Sequence, residues 1–270
     1  MSNFYFGNPP FINYTIDSWT NVDSDYPASN AKEKRNISKQ VRTSDTTGSV
    51  FVIDLESTYS NLIIAIDHVN FTSFQLEVDD ASDFATCQIT SSATILANDW
   101  TCWYENVTKR SRYKHIWKVT GTNLRYIRGT IANQTATNSA SYHFVGRILV
   151  TDQILTLSQN MNWNLTYNSE LAWGERTRKS GGKQKYALSS YKIMNITMGW
   201  DAIDKNYISD IQTLDMVRPD QPIIVWNNEL SDTAEYYVMS REDSNVDIQW
   251  GGPYHRQIGN MGFREVVADD

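Results

Sequence analysis

Apolar runs and period-two alternation predict β-strands along most of the chain. Residues 49–55 and 61–69 are almost continuous apolar stretches of strand length, which is typical of strands buried on both faces. Residues 74–78 alternate apolar and polar positions, as expected of a strand with one solvent-facing side. The same patterns predict three more strands, at 113–119, 124–132 and 143–150. The Asn-, Thr- and Ser-rich residues 133–141 predict a loop.

The spacing of these strands indicates the fold class. They follow one another closely, with turn-forming residues between them and no helical periodicity, which favours an antiparallel sandwich or jelly roll. The character of the sequence changes near residues 151–159, so we predict two domains, covering residues 1–152 and 153–270. In the second domain the sequence predicts strands at four places: 184–199, 222–226, 234–239 and 258–267.

A single helix is predicted in the second domain, at residues 201–216. Four apolar residues follow at spacings of four, four and three, which places them on one helical face: Ile203, Tyr207, Ile211 and Leu214. Asp201 is a candidate N-cap, because a carboxylate there accepts hydrogen bonds from the first helical turn. The predicted fold is therefore mainly β, a jelly-roll sandwich followed by a β-rich domain with one short helix.

Composition and charge narrow the classes of partner. Hydrophobic residues make up 40% of the 270 residues and charged residues 20%, which is enough apolar material for a core. A net charge of −7 argues against a nucleic-acid partner. The basic cluster within residues 109–118 is interpreted either as a nucleic-acid contact or as a charged strand edge. We find no signal-peptide pattern and no apolar stretch long enough for a membrane span, and expect neither.

Aromatic residues are abundant, with nine Trp and 15 Tyr. Exposed aromatic rings stack on the faces of sugars, and neighbouring Asn and Asp side chains bond sugar hydroxyls. Five aromatic residues in polar, loop-like sequence are therefore candidate ligand contacts: Trp19, Tyr26, Trp100, Trp103 and Tyr104. The alternative for each of them is burial in the core or in an interface between subunits.

Common catalytic motifs are missing from the sequence. It lacks the G-x-S-x-G nucleophile elbow, the H-E-x-x-H metal pair and the P-loop. A Ser–His–Asp triad assembled by the fold stays open as an alternative, because such triads are defined by geometry. We predict a protein that is not an enzyme and has no catalytic residues, no cofactor and no metal.

Two further groups of residues are candidates for a disulfide bond and for a calcium site. Cys87 and Cys102 either pair across a hairpin or, as is usual in a reducing cytoplasm, stay as thiols. Asn21, Asp23 and Asp25 offer oxygen ligands of the kind that calcium prefers. The alternative interpretation of these three residues is an ordinary turn rich in Asn and Asp.

Several short motifs of the first domain resemble the discoidin, or galactose-binding-like, sandwich. Residues 28–30 (ASN) form an Asn-containing turn, residues 42–43 (RT) follow it, and residues 52–55 (VIDL) match the next strand of that family. Residues 64–71 and 124–128 (LRYIR) resemble later strands of the same sandwich. The order of these motifs along the chain carries the resemblance, which implies a galactose-binding-like first domain.

The end of the first domain and the layout of the second resemble phage tail proteins. Residues 145–150 (VGRILV) are similar to the closing strand of such proteins, and residues 263–267 (FREVV) to their C-terminal strand. The resemblance implies a virion structural protein of a tail tip, baseplate or fibre-attachment region, made in the host cytoplasm. Its partners would be other tail proteins and further copies of itself, as a trimer or hexamer.

The alternative function is a carbohydrate- or receptor-binding module that acts at the host cell surface, with a surface glycan as its ligand. Such a module predicts an exposed aromatic cluster with Asn and Asp side chains around it. A ring subunit instead predicts aromatic patches on two opposite faces. An enzyme predicts a pocket that holds a histidine close to a carboxylate and a nucleophile.

Overall fold

The computed structural model describes residues 4–32, 39–95, 99–102, 107–110, 113–156, 166–170, 173–177, 183–187, 193–204, 208–217, 222–227, 236–241, 248–250 and 255–265. These residues form antiparallel β-sheets with one α-helix and one 3₁₀ turn, so the mainly-β class is confirmed. None of the described helical residues forms a segment long and apolar enough to cross a membrane.

The described strands of the first half are, in chain order, β1 Phe4–Gly7, β2 Thr15–Trp19, β3 Val41–Arg42, β4 Ser49–Val69, β5 Ser73–Asp79, β6 Ile89–Thr94, β7 Asp99–Cys102, β8 Val107–Arg110, β9 Tyr113–Ile131 and β10 Phe144–Thr151. Those of the second half are β11 Ile154–Thr156, β12 Thr166–Glu170, β13 Trp173–Thr177, β14 Lys183–Ala187, β15 Ile193–Asp204, β16 Pro222–Asn227, β17 Tyr236–Arg241, β18 Ile248–Trp250 and β19 His255–Glu265. The helix α1 is Ile208–Asp215, and the 3₁₀ turn is Ala28–Lys32.

Sheet 1 contains seven strands in the order β3-β10-β4-β9-β5-β6, with β2 beside β4. Its two long central strands each combine two strands that the sequence predicts separately. The apolar runs 49–55 and 61–69 both belong to β4, and the segments 113–119 and 124–132 belong to β9. The predicted strands at 74–78 and 143–150 correspond to β5 and β10.

A bulge in the middle of β4 changes which residues face the core. Before the bulge, odd-numbered residues such as Phe51 and Ile53 point into the main core, whereas Ile64 and Ile66 do so after it. The pairing register of β4 with β9 shifts between Asp54 and Asn61, and Glu56 has a φ of 64°. An extra residue in one strand exchanges its two faces, because side chains alternate with period two.

Sheet 2 contains eight strands in the order β11-β1-β16-β17-β19-β15-β12, with β18 beside β19. It takes its strand β1 from the N-terminus, where Phe6 is fully buried with its ring 6.1 Å from that of Phe263 on β19. Two separate hairpins, β7–β8 and β13–β14, complete the described strands. Strand β1 belongs to the predicted first domain, yet it pairs with β16 of the predicted second domain. The domain boundary at residue 152 stays a prediction.

The prediction of a helix over 201–216 is wrong in its first part. Residues 201–204 end strand β15, where Ile203 lies opposite Arg256 and Asp204 opposite His255 of β19. Pairing with β19 satisfies the backbone of this segment, so sheet formation overrides the local helical spacing. Asp201 is therefore a strand residue and not an N-cap, and Tyr207 lies outside the described residues. The helix is confirmed over α1, which buries Ile211 and Leu214.

Candidate functional site

Three loops of sheet 1 are tied together by direct hydrogen bonds, and we call them the loop face. They are residues 20–27 after β2, residues 43–48 between β3 and β4, and residues 132–143 before β10. Strands β3 and β10 are neighbours in the sheet, with Arg42 opposite Phe144, which brings the second and third loops side by side. The isolated bridge between Val22 and Thr43 attaches the first loop to the second.

Side-chain hydrogen bonds fix these loops to one another. The Asn21 amide donates to Asp45 Oδ1 at 2.8 Å and to the carbonyl of Gly48 at 3.1 Å. The backbone N–H of His143 donates to Thr43 Oγ1 at 2.8 Å, and the N–H of Thr43 donates to the His143 carbonyl at 2.9 Å. Polar groups that satisfy one another in this way hold the loops in a single arrangement.

An arginine lies between two tyrosine rings at the loop face, and we call this group the tyrosine–arginine stack. The guanidinium carbon of Arg42 is 3.7 Å from the ring centre of Tyr26 and 4.7 Å from that of Tyr142. All three side chains are half-buried, so each keeps part of its surface in solvent. Cation–π attraction over two rings fixes the orientation of the guanidinium plane.

The Arg42 side chain keeps hydrogen-bonding capacity towards solvent. With the Gln40 amide oxygen facing it, Gln40 accepts from Arg42 Nε at 2.8 Å and from Nη2 at 2.7 Å. Within the described residues, no acceptor contacts the other terminal nitrogen, Nη1. A guanidinium has five N–H donors in a rigid plane, so Arg42 presents fixed donors beside two aromatic rings.

Carboxylates of the same loops provide acceptors. Hydrogen bonds from the hydroxyl and the backbone N–H of Thr47, at 2.6 and 2.8 Å, and one from Asn21 hold the pKa of the exposed Asp45 carboxyl below its usual range. Asp45 is therefore ionised at neutral pH. Asp23 Oδ1 accepts from the backbone N–H of Asp25 at 2.9 Å, in a turn directly before Tyr26.

The possible calcium ligands of the sequence are engaged in these loop contacts. Asn21 bonds Asp45 and Gly48, and Asp23 bonds Asp25, as in a turn rich in Asn and Asp. Across the part of the chain that the structure describes, no three His, Cys, Asp or Glu residues are grouped as metal ligands would be.

His143 is a structural residue of the loop face. Its side chain is fully buried, and its Nε2 lies 2.9 Å from the carbonyl of Gln134, to which it donates when protonated there. Burial lowers the pKa of His143, so the ring is neutral at pH 7. No histidine lines the cavity beside Asn8 and Asp152 or the cavity beside Ser73 and Thr94.

The structure places two of the five predicted contact residues. Tyr26 belongs to the tyrosine–arginine stack. Trp19 packs on Phe51, with 4.6 Å between ring centres, and its Nε1 donates to Ser49 Oγ at 3.0 Å, so this indole serves mainly the packing of β2 on β4. Trp100 lies on β7, where its side chain is not described, and Trp103 and Tyr104 lie outside the described residues. For the five together, a role in binding stays a prediction.

Sequence analysis did not select Arg42 and Tyr142 as contact residues. Arg42 carried only the family resemblance, and Tyr142 lies between the predicted loop 133–141 and the predicted strand 143–150. The two residues are far apart in the sequence, and they meet because β3 pairs with β10. The available signal was the Tyr142–His143–Phe144 run, which is unusually aromatic for a loop that borders a strand.

Comparison with known proteins identifies structural neighbours only. No protein-family model and no curated protein matches the sequence. A fucose binding module of Streptococcus pneumoniae is 13% identical over 52% of this chain and 91% of its own, with a TM-score of 0.35. The lectin domain of lectinolysin, complexed with Lewis B antigen, is 8% identical over 51% and 90%, also at 0.35. Reduced XRCC1, bound to the DNA pol beta catalytic domain, is 13% identical over 52% and 97%, again at 0.35. At this sequence identity and this TM-score, the likeness assigns neither a ligand nor a partner to this chain.

Proposed function

We propose that the protein is a carbohydrate-binding module and that the loop face holds its glycan. The observation that carries this proposal is the tyrosine–arginine stack, in which Arg42 lies between the rings of Tyr26 and Tyr142. Sugars have apolar faces, formed by their C–H groups, and hydroxyls around the ring. A site for them therefore combines aromatic surface with hydrogen-bond donors and acceptors.

The loop face supplies each of these groups. The two tyrosine rings provide apolar surface and hydroxyls, Arg42 provides donors, and the ionised Asp45 provides acceptors. The hydrogen bonds of Asn21 hold the Asp45 loop in place before any ligand arrives. A preformed site loses little conformational entropy on binding, which favours affinity for a small polar ligand.

The proposal is tested on an array of immobilised glycans, followed by calorimetry with the glycans that bind. Tyr26→Ala and Tyr142→Ala each remove one ring of the stack, and we expect each to weaken binding by about tenfold or more. Arg42→Gln keeps a planar polar group without the charge and should weaken binding to a similar degree.

The matched control is Tyr126→Ala. Tyr126 is also half-buried and lies beside an arginine, 5.1 Å from Arg125, but it belongs to strand β9 instead of the loops. Its loss should leave glycan affinity unchanged. Binding that survives both loop-face tyrosine substitutions, or that falls equally in Tyr126→Ala, would refute this site, and a glycan array without any bound glycan would refute the function.

The virion location rests on the sequence resemblance to phage tail proteins and stays a prediction. In that setting the glycan would belong to the host cell surface, and sheet 2 would be available for contacts with neighbouring tail proteins. A discrete trimer or hexamer in light scattering at several concentrations would support this assembly, whereas a persistent monomer would speak against self-assembly.

A further inference from the structure

A cavity of about 420 Å³ lies beside the turn between β10 and β11, at the opposite end of β10 from the loop face. Its walls come from three elements: the end of β1, the β10–β11 turn, and the C-terminal end of α1. The residues that matter for its chemistry are Asn8, Asp152, Ile154, Leu155, Met216 and Val217. We call it the helix-end cavity; its volume is within the range of small-ligand sites.

One wall holds a buried amide oxygen that accepts no hydrogen bond within the described residues. The Asn8 side chain is only 5% exposed, and within the described residues its Oδ1 accepts no hydrogen bond. Its backbone is fixed on both sides, because the Asn8 N–H donates to the Gln153 carbonyl and the Asn8 carbonyl accepts from Thr151 Oγ1, both at 2.8 Å. A buried amide oxygen that accepts no hydrogen bond costs free energy.

The electrostatic character of the cavity is negative. Asp152 lies at its mouth, exposed, with one carboxylate oxygen accepting from the Gln153 amide at 2.9 Å. Helix α1 ends here at Asp215, and the carbonyls of a final helical turn carry partial negative charge. No lysine or arginine is among the residues that line the cavity. These features favour a cation over an anion or a neutral group.

The remaining wall is apolar. Ile154, Leu155 and Val217 line it, and Met216 stands at its edge with 75% of its side chain exposed, unlike the other large apolar side chains described. A thioether side chain adapts its shape to alkyl groups. An apolar wall next to a carboxylate matches a ligand with an alkyl chain and a charged end.

We propose that the helix-end cavity binds a primary alkylammonium group. The ammonium lies beside the Asp152 carboxylate, and the alkyl chain lies along Met216 and Leu155. Two sources present this chemistry: a free alkylamine, or a lysine side chain of a protein partner. The site is separate from the loop face, so neither proposal depends on the other.

The test is an NMR titration of the full chain with n-pentylamine and, as a neutral molecule of the same shape, n-pentanol. We expect n-pentylamine to shift the amide resonances of residues 152–155 and 213–217 saturably. The pentanol titration should need at least about tenfold more ligand, because the neutral hydroxyl lacks the ionic contact. N-acetyl-lysine methylamide forms the second arm: saturable binding at the same resonances points to a partner's lysine, and its failure beside a binding pentylamine points to a free amine.

Asp152→Asn removes the charge of an exposed side chain and keeps its shape, so the variant should fold. It should weaken pentylamine binding by about fivefold, while Asp80→Asn, at an exposed turn after β5, should leave it unchanged. Equal affinity for pentylamine and pentanol would show a merely apolar cavity and overturn the proposal. So would wild-type affinity in Asp152→Asn, or an absence of saturable shifts at the cavity residues.

Discussion

Two arginine–aspartate pairs, each joined by two hydrogen bonds, differ in their exposure to solvent. Arg147 donates from Nε and Nη2 to Asp67 Oδ2 at 2.9 and 2.6 Å, and both side chains are fully buried. Arg125 donates to both oxygens of Asp54 at 2.8 and 2.9 Å, with side chains that are 38% and 18% exposed. Water can solvate the second pair after one partner is lost, but it cannot reach the first.

We expect Asp67→Asn to lower the free energy of unfolding by about 3–5 kcal/mol, because it removes a carboxylate charge that faces the buried Arg147 guanidinium. Asp54→Asn is the matched control and should cost at most about 1 kcal/mol. Urea unfolding of both variants at neutral pH measures the difference. Similar losses for the two would contradict the role assigned to burial.

The pH dependence of stability should reflect His115, which is half-buried on β9. Burial lowers its pKa to about 4 in the folded protein, against about 6.5 in the unfolded chain. Between these pH values His115 is protonated in the unfolded chain but not in the folded protein. The free energy of unfolding therefore falls as the pH drops from about 6.5 to about 4. Burial lowers the pKa of His143 as well, so this residue also makes the free energy of unfolding fall at acidic pH.

The measurement is urea unfolding at about pH 7 and about pH 4.5, for the wild type and for His115→Gln. The wild type should lose on the order of 2 kcal/mol more than the variant over this range, since carboxylate effects are common to both. Parallel losses in the two proteins would mean that His115 titrates normally in the folded state.

At the scale of elements, the pairing of β4 with β9 depends on a glycine. Gly129 lies directly opposite Phe51, and a Cβ added at Gly129 would overlap the Phe51 ring. That ring is held between Trp19 and Phe74, at 4.6 and 6.0 Å between centres, and cannot move aside freely. The glycine is needed here for space, because its missing side chain admits the ring.

Gly129→Ala should therefore destabilise the protein by about 1–3 kcal/mol, whereas Thr130→Ala on the next position should cost much less. Phe51→Leu introduced together with Gly129→Ala should lose less than the sum of the two single changes, because the smaller side chain makes room for the methyl group. Additive losses in thermal or urea unfolding would show that the two positions do not compete for space.

The elements show what local patterns can and cannot predict. Strands β5 and β10 were predictable, because alternation and apolar runs within each strand are enough to define them. The continuity of β4 was not, because residues 56–60 between the two predicted strands are mostly polar like a turn, and pairing with β9 keeps them in the strand. Likewise the last residues of β15 have helical spacing, and the β19 ladder decides their structure.

The candidate site, too, was only partly predictable from local sequence patterns. Tyr26 could be selected from sequence as an aromatic residue in a polar loop. The stack that gives it a function requires Arg42 and Tyr142, which approach through the register of β3 on β10. Register between strands about a hundred residues apart depends on the packing of the whole sheet, which no local pattern contains. The polar sequence therefore predicts the loop that holds Tyr26, but the grouping of the three side chains becomes visible only in the folded structure.

At the scale of the whole molecule, the two sheets share a buried cluster. Ile63, Leu149 and Phe11 from the region of sheet 1 pack with Ile224 of β16 in sheet 2. Strand β1 adds a second link, since it lies between β11 and β16 although it begins the chain. The stability of sheet 2 should therefore depend on a residue near the N-terminus.

Phe6→Ala tests this dependence. Phe6 is fully buried, and its truncation should cost about 3–5 kcal/mol. In hydrogen exchange, protection should fall first in β11 and β16, which pair with β1, and least in β5 and β9 of sheet 1. Leu76→Ala, an equally buried control on β5, should show the reverse order. If both variants lower the protection of all strands equally, the two sheets unfold as one cooperative unit. Strand β1 then stabilises the entire protein instead of sheet 2 alone.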